Sequence, residues 1–169
     1  MTTRTVLGAI AGLAMVLGHA AVATAGDASR DPRVEHGRYL VTIGGCNDCH
    51  TAGYPESGGK IPEKEWLTGV PVGFQGPWGT SYPANLRRVV SGMSEAEWVV
   101  HARKERMPPM PWFNLRVMTD SDLAAIYAFI RSLGAAGAPM PAYVGPGGKV
   151  DTPYIVFVPV SDRRQAAAR

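Results

Sequence analysis

The chain has 169 residues, with 17 lysines and arginines against 14 aspartates and glutamates, so its formal charge is only +3. No basic run is interleaved with aromatic residues, and with this near balance of charge we expect no nucleic-acid partner. The 20 glycines and 14 prolines predict that much of the chain is loop.

Residues 1–25 have the layout of a secretory signal peptide. Arg4 supplies the positive start, an apolar run of about twelve residues follows, and an Ala-x-Ala cleavage site stands at Ala23 and Ala25. An uncleaved membrane anchor is the alternative, but a spanning helix needs roughly twenty apolar residues. We therefore predict export, with cleavage after about Ala25.

Cleavage would leave 144 residues, a usual length for one domain, and no later segment is apolar enough to form a transmembrane anchor. Residues 31–45 are predicted as a helix. Pro32 suits its first turn, and Val34, Tyr39, Leu40 and Ile43 recur on one side. Gly37 costs up to about 1 kcal/mol inside a helix. Either a close helix crossing requires it, or it is a tolerated surface glycine.

Residues 46–50, with the sequence CNDCH, have the C-x-x-C-H spacing of covalent haem attachment. Two thiols one turn apart can reach the two vinyl groups on one edge of a porphyrin, and the next residue places an imidazole at the iron. Three other interpretations fit less well. A redox-active cysteine pair is usually surrounded by strands, which this sequence does not predict, and a zinc site needs further ligands that the sequence does not offer at a paired spacing. A structural disulfide would leave His50 without a role. We predict one haem c bound through Cys46 and Cys49, with His50 as the proximal iron ligand.

The Gly/Pro-rich stretch 52–83 is predicted as long loops without a sheet. Its large aromatic residues are expected to form haem-pocket walls or core, with a hydrogen bond to a haem propionate as an alternative: Trp66, Phe74, Trp78 and Tyr82. Arg87 and Arg88 are expected to be a solvated pair, the alternative being that they neutralise propionates.

Two further helices have clear start signals. Ser94 and Glu97 form a capping box, and this helix carries His101, which we interpret as a surface or core residue and not as a ligand. Thr119 and Asp122 form a second box. It is followed by a helical apolar stripe that Gly134 ends: Leu123, Ile126, Tyr127, Ile130 and Leu133. The apolar segment 152–160 is expected to lie extended on the domain or to dock a partner.

Three stretches together resemble a class I c-type cytochrome: GRYLVTIGGCNDCHT, GPWGTSYPANL and MPPMPWFNLRVMTDSDLAAIYAFIRSL. The resemblance covers roughly residues 30–134. Within this class, the sequence is similar to single-haem periplasmic cytochromes of proteobacteria. It is also similar to modules of the cytochrome subunits of alcohol and aldehyde dehydrogenases. It implies an all-α class I fold with long loops around one haem, over residues 26–134. Residues 135–169 would then be a Pro/Gly-rich C-terminal extension, whose docking on the domain is left open.

The resemblance also implies that a methionine from the loop before the last helix is the distal iron ligand. Met93 and Met118 stand beside helix starts, so we expect them to be packing residues. The prolines of MPPMP predict polyproline II, in which residues three apart start about 9 Å apart, so that one iron accepts only one of them. Met110, with proline on both sides, is the predicted ligand, and Met107 is the alternative.

The expected function is that of a periplasmic one-electron carrier, not an enzyme. Its partners would be a dehydrogenase or quinol-oxidising complex on one side and an oxidase or reductase on the other. Two alternatives stay open: an electron-transfer subunit held within an alcohol or aldehyde dehydrogenase complex, and a haem enzyme or sensor with a labile distal ligand. Such dehydrogenase subunits carry three C-x-x-C-H motifs, whereas this chain has one.

Overall fold

The structure, a computed structural model, describes residues 31–157, so the predicted signal peptide and the end of the C-terminal extension lie outside it. Within this range the helices are α1 Pro32–Ile43, α2 Cys46–His50, α3 Leu86–Ser91, α4 Glu95–Ala102, α5 Trp112–Val117 and α6 Asp120–Ser132. A short 3-10 helix spans Glu63–Glu65. The strands are β1 Gly73–Gly76, β2 Gly79–Ser81 and β3 Tyr154–Val156. None of these helices is long and apolar enough to cross a bilayer.

Helices α1 and α6 cross in close contact at Gly37. A Cβ atom at this position would lie 1.9 Å from the carbonyl oxygen of Ala125 and 2.9 Å from Cβ of Phe129. Beside the crossing, His36 Nε2 lies 2.8 Å from Asp122 Oδ1 and links the two helices a second time. Of the two interpretations of the mid-helix glycine, the close crossing is confirmed and the surface glycine is wrong.

The buried face of α1 agrees only in part with the one that its apolar residues predicted. Val41, one turn after Gly37, is fully buried, whereas Tyr39 and Ile43 are 57% and 60% exposed. Residues four apart share a helix face, so the face that begins with Gly37 continues through Val41. The predicted stripe was therefore wrong for Tyr39 and Ile43, whereas its other two members, Val34 and Leu40, pack against the core.

Helices α4 and α6 begin as predicted. Ser94 and Glu97 form the capping box of α4, and the hydroxyl of Thr119 accepts a hydrogen bond from the amide of Asp122 at the start of α6. After α6, Gly134 adopts a positive φ of 71°. The buried core joins α1, α3, α4 and α6 to the loop after α2: Val41, Trp66, Leu67, Val90, Trp98, Ala102, Leu123, Ile126, Phe129 and Ile130.

A small sheet stands where the sequence predicted only loop. Strands β1 and β2 form an antiparallel hairpin in which Phe74 faces Ser81, and β3 lies parallel to β1 on its other side, with Phe74 beside Ile155. The strands of the hairpin are short, and glycines stand at three of their ends. They therefore show no alternation of apolar and polar residues that could have predicted them.

The C-terminal extension is held on the domain by hydrogen bonds before it reaches β3. The side-chain amide of Asn85 donates to the carbonyl oxygens of Ala136, at 2.8 Å, and Ala138, at 3.1 Å. Val144 then pairs with Thr80 through two backbone hydrogen bonds of 2.7 and 2.9 Å. Residues 135–157 thus form part of the folded structure.

Arg87 is buried and not solvated. It is 6% exposed, and its guanidinium donates to the carbonyl oxygens of Gly134 at 2.6 Å, Lys64 at 2.7 Å, and Leu133. These include carbonyl groups at the end of α6 that the helix itself leaves without partners. Its neighbour Arg88 is exposed. The prediction that both arginines are solvated is therefore correct for Arg88 and wrong for Arg87.

Gly37→Ala is expected to lower the free energy of unfolding of the haem-loaded protein by about 1–3 kcal/mol, the range for overpacked sites. The steric conflict with α6 outweighs the gain in helix propensity, which is at most about 1 kcal/mol. Chemical denaturation followed by circular dichroism measures the change. Gly92→Ala is the control, because the nearest atom to its Cβ would be 3.8 Å away and its φ is −95°. Equal stability of the two variants would contradict the tight crossing.

Candidate functional site

A cavity of about 430 Å³ opens beside α1, α2, α4, α6 and the β1–β2 hairpin. Its wall is mainly apolar, and its size is in the range of ligand-binding pockets. The cavity is lined by every residue that the sequence predicted to bind haem: Cys46, Cys49, His50, Met107 and Met110. Residues from two segments about sixty positions apart in the chain thus meet at one site.

Helix α2 places the two cysteines one turn apart. Gly45 starts the helix with a left-handed backbone, φ 66°, directly after α1 ends. No disulfide joins the two cysteines. Burial raises the pKa of Cys46 to about 11, and burial also raises the pKa of Cys49, with Asp48 adding to the effect. A redox-active pair needs a lowered thiol pKa, so this environment does not favour that alternative.

His50 is buried, and its orientation is fixed by one hydrogen bond. Its Nδ1 lies 2.7 Å from the carbonyl oxygen of Ala84. Because a carbonyl can only accept, Nδ1 carries the hydrogen and Nε2 is left with a lone pair, as a metal-ligating imidazole requires. Burial lowers the pKa of His50 and so favours the neutral ring.

Two buried residues that the sequence reasoning missed hold α2 in place. The hydroxyl of Thr51 donates to Oδ1 of Asn47 at 2.7 Å and accepts a hydrogen bond from the amide of Leu67 at 2.8 Å. Asn47 lies between the two cysteines in sequence and is 1% exposed. No periodic signal marks it, because its role depends on a segment sixteen residues away from Thr51.

The segment between Met107 and Met110 is a turn, and the prediction of polyproline II is wrong. The amide of Met110 donates to the carbonyl oxygen of Met107 at 3.3 Å, and polyproline II has no internal hydrogen bonds. The peptide bond between Pro108 and Pro109 is cis. In such a turn the first and fourth Cα atoms are within about 7 Å, so the methionines start closer together than predicted.

The turn is attached to the hairpin and to α5. Ser81 Oγ donates to the carbonyl oxygen of Pro108 at 2.6 Å, and the amide of Trp112 donates to the carbonyl oxygen of Met110 at 2.9 Å. Met107 is 48% exposed, whereas Met110 is partly buried. Met93 and Met118 pack against the core, and Met118 also borders the cavity.

The predicted aromatic residues divide into two groups. Phe74 and Tyr82 line the cavity. Trp66 lies in the core, where its ring meets Phe129 edge to face, and Trp78 packs against Phe157 of the extension. The prediction of pocket wall or core is therefore correct for Phe74, Tyr82 and Trp66. Trp78 instead packs against the C-terminal extension.

The C-terminal extension contributes wall residues that the sequence reasoning missed. Pro141 and Tyr143 line the cavity, and the phenol of Tyr143 donates to the carbonyl oxygen of Trp78 at 2.5 Å. From α4, Trp98 and His101 also line it, and the indole of Trp98 donates to the carbonyl oxygen of Leu123 at 2.9 Å. Nothing in the sequence of the extension predicted contact with the site.

Arg106 supplies the fixed charge of the cavity. Among the described residues that line the site it is the one lysine or arginine, and no aspartate or glutamate lines it. Its guanidinium donates to the carbonyl oxygen of His101 at 2.9 Å. Burial, followed by the charges of Arg106 and Lys104, lowers the pKa of His101. An apolar cavity with one cation suits a flat apolar group that carries carboxylates.

A model of the cytochrome c family matches residues 34–134. The chain belongs to the cytochrome c family. The expected class I cytochrome c fold is thereby confirmed, with the small sheet as an addition to its helices. Comparisons with curated proteins and with solved structures gave no match.

As a cytochrome c, the protein carries covalently attached haem c, transports electrons and exchanges them with redox partner proteins. The site fits this group: two thiols stand one turn apart as the C-x-x-C-H motif requires, and a neutral imidazole follows them. No group of three or more His, Cys, Asp or Glu side chains that could hold a metal ion comes together within residues 31–157, so the zinc alternative finds no ligand set there.

Arg106→Gln is expected to lower the midpoint reduction potential. Ferric haem carries one more positive charge than ferrous haem, so removing a nearby cation favours the oxidised form. Spectroelectrochemical titration measures the potential. Arg131→Gln is the control, because it removes the same charge from an exposed residue that does not line the cavity. Equal potentials in the two variants would show that Arg106 does not act on the haem.

Proposed function

We propose that the protein is a periplasmic one-electron carrier whose haem iron is held between His50 and a methionine. The observation that supports this proposal is that His50 and the Met107–Met110 turn line the same cavity. The protein would then supply both axial ligands from its own side chains.

Each residue has a separate role in this proposal. Cys46 and Cys49 form the thioether bonds, and His50 is the proximal ligand through Nε2, with Ala84 holding its Nδ1–H. Met110 is the distal ligand. It is less exposed than Met107, and the hydrogen bond from Trp112 to its carbonyl oxygen ties it to the start of α5.

When bound, the haem supplies an Fe(III)/Fe(II) couple, and His/Met ligation raises its potential. With His50 and Met110 both bound to the iron, no ligand position would be left for oxygen or peroxide. The hydrogen bonds that hold the turn and the imidazole would favour the same two ligands in both oxidation states. This favours electron transfer through the haem edge over catalysis at iron, so the protein is not proposed to be an enzyme.

The proposed partners are a dehydrogenase or quinol-oxidising complex as donor and an oxidase or reductase as acceptor. The second candidate, a subunit held within an alcohol or aldehyde dehydrogenase complex, has one observation in its favour. Strand β3 is an outer strand of the sheet, and Tyr154, Ile155 and Val156 are 46–61% exposed. Co-purification of the tagged protein with a dehydrogenase through size-exclusion chromatography would favour this candidate over a free carrier.

The reduced wild-type protein is expected not to bind carbon monoxide at neutral pH, because both axial positions are filled. It should also titrate as a single reversible one-electron couple. Optical spectra with and without carbon monoxide check the first outcome, and redox titration checks the second. Ready binding of carbon monoxide would contradict the carrier and favour the haem enzyme or sensor.

Expression of the full chain in a Gram-negative host that matures c-type cytochromes is expected to give a periplasmic protein that begins near Gly26. Export and cleavage are both expected because a short apolar run precedes the Ala-x-Ala site, as in a secretory signal peptide. Cell fractionation and mass spectrometry of the intact protein measure both properties. A haem-loaded chain that keeps residues 1–25 in the membrane fraction would support the uncleaved anchor instead.

A further inference from the structure

We propose that Met107 is a reserve axial ligand, which binds the haem iron when Met110 is lost. This inference rests on the proposed His/Met ligation and goes beyond it. It assigns a second metal-ligating residue on the distal side of the site, used in place of the first and not together with it.

The geometry of the turn carries the inference. Met107 and Met110 are its first and fourth residues, joined by the hydrogen bond from the Met110 amide to the Met107 carbonyl oxygen. Both residues line the cavity that also contains His50. With His50 as one ligand of the iron, a single further ligand position would be left, and the two thioethers would be alternatives for it.

The backbone contacts of the turn do not depend on either thioether. Ser81 holds the carbonyl oxygen of Pro108, and the amide of Trp112 holds that of Met110. Before the turn, the guanidinium of Arg106 holds the carbonyl oxygen of His101. A change of the Met110 side chain therefore leaves these bonds in place. Methionine has three rotatable side-chain bonds, so Met107 can adjust without a new backbone conformation.

His101 is the competing substitute. It lines the cavity, and its lowered pKa leaves the imidazole neutral and able to bind a metal. It lies on α4, however, with its ring stacked on Trp98 at 6.1 Å between centroids. Met107 stands on the same turn as the lost ligand and is 48% exposed, so fewer contacts oppose its movement.

The test uses Met107→Leu, Met110→Leu and the double variant, because leucine preserves most of the side-chain volume and favours folding. Met93→Leu is the control, since Met93 packs in the core and does not line the cavity. Three properties are measured for each protein: covalent haem content, the red charge-transfer band of thioether-bound ferric haem, and carbon monoxide binding to the reduced form.

Met110→Leu is expected to keep the thioether band and to resist carbon monoxide. Its ferric/ferrous equilibrium should change less than about tenfold, which is ~59 mV for one electron. The double variant, with normal haem content, should lose the band and bind carbon monoxide. Met107→Leu and Met93→Leu should behave as the wild type.

The outcomes separate this inference from the proposed function. If the wild type has the band but Met110→Leu loses it and behaves as the double variant, Met107 is not a reserve ligand, while His/Met ligation stands. If the band is absent from the wild type, both ideas fail. A band lost in Met107→Leu alone would make Met107 the resident ligand, and a band kept in the double variant would point to Met118. Either result overturns the inference.

Discussion

The contact between α1 and α6 at Gly37 is the constraint on which the rest of the structure depends. A Cβ atom would lie 1.9 Å from the Ala125 carbonyl oxygen, so the helices can meet this closely only through glycine. The crossing fixes which face of α1 is buried, and Val41 on that face borders the haem cavity together with Ile126 and Ile130 of α6. Since α2 begins at Cys46, three residues after α1 ends, the direction of α1 also sets the position of the attachment motif.

The haem site is continuous with the hydrophobic core. Trp98 and Ala102 of α4 belong to the core cluster and also line the cavity. Burial also lowers the pKa of the His50 imidazole and so favours its neutral form. A neutral imidazole is the form that binds iron. The packing that stabilises the domain therefore also prepares the proximal ligand.

The sequence predicted most completely those features that depend on residues close together in the chain. The spacing of CNDCH, the capping residues Ser94 and Thr119, and the apolar stripe of α6 are all local, and the structure agrees with them. The errors concern features that depend on distant segments. Arg87 finds its partners at the end of α6, and β1 is paired on one side by a strand from the extension. The turn at Met107–Met110 was missed because the prolines were assigned the conformation that is most common for proline-rich segments. The hydrogen bond from Ser81 to the carbonyl oxygen of Pro108, which attaches the turn to the hairpin, depends on a distant segment.

The C-terminal extension shows how a segment beyond the family match can act on the site. The match ends at residue 134, yet Asn85 is bound by the carbonyl oxygens of Ala136 and Ala138. The residue before it, Ala84, accepts the hydrogen bond that orients His50. The residue next to the one that orients the proximal imidazole is thus bound to the extension through its side chain. Tyr143 and Pro141 of the extension also line the cavity directly. Because the extension both supplies wall residues and binds the residue next to Ala84, it is a structural part of this cytochrome's haem pocket.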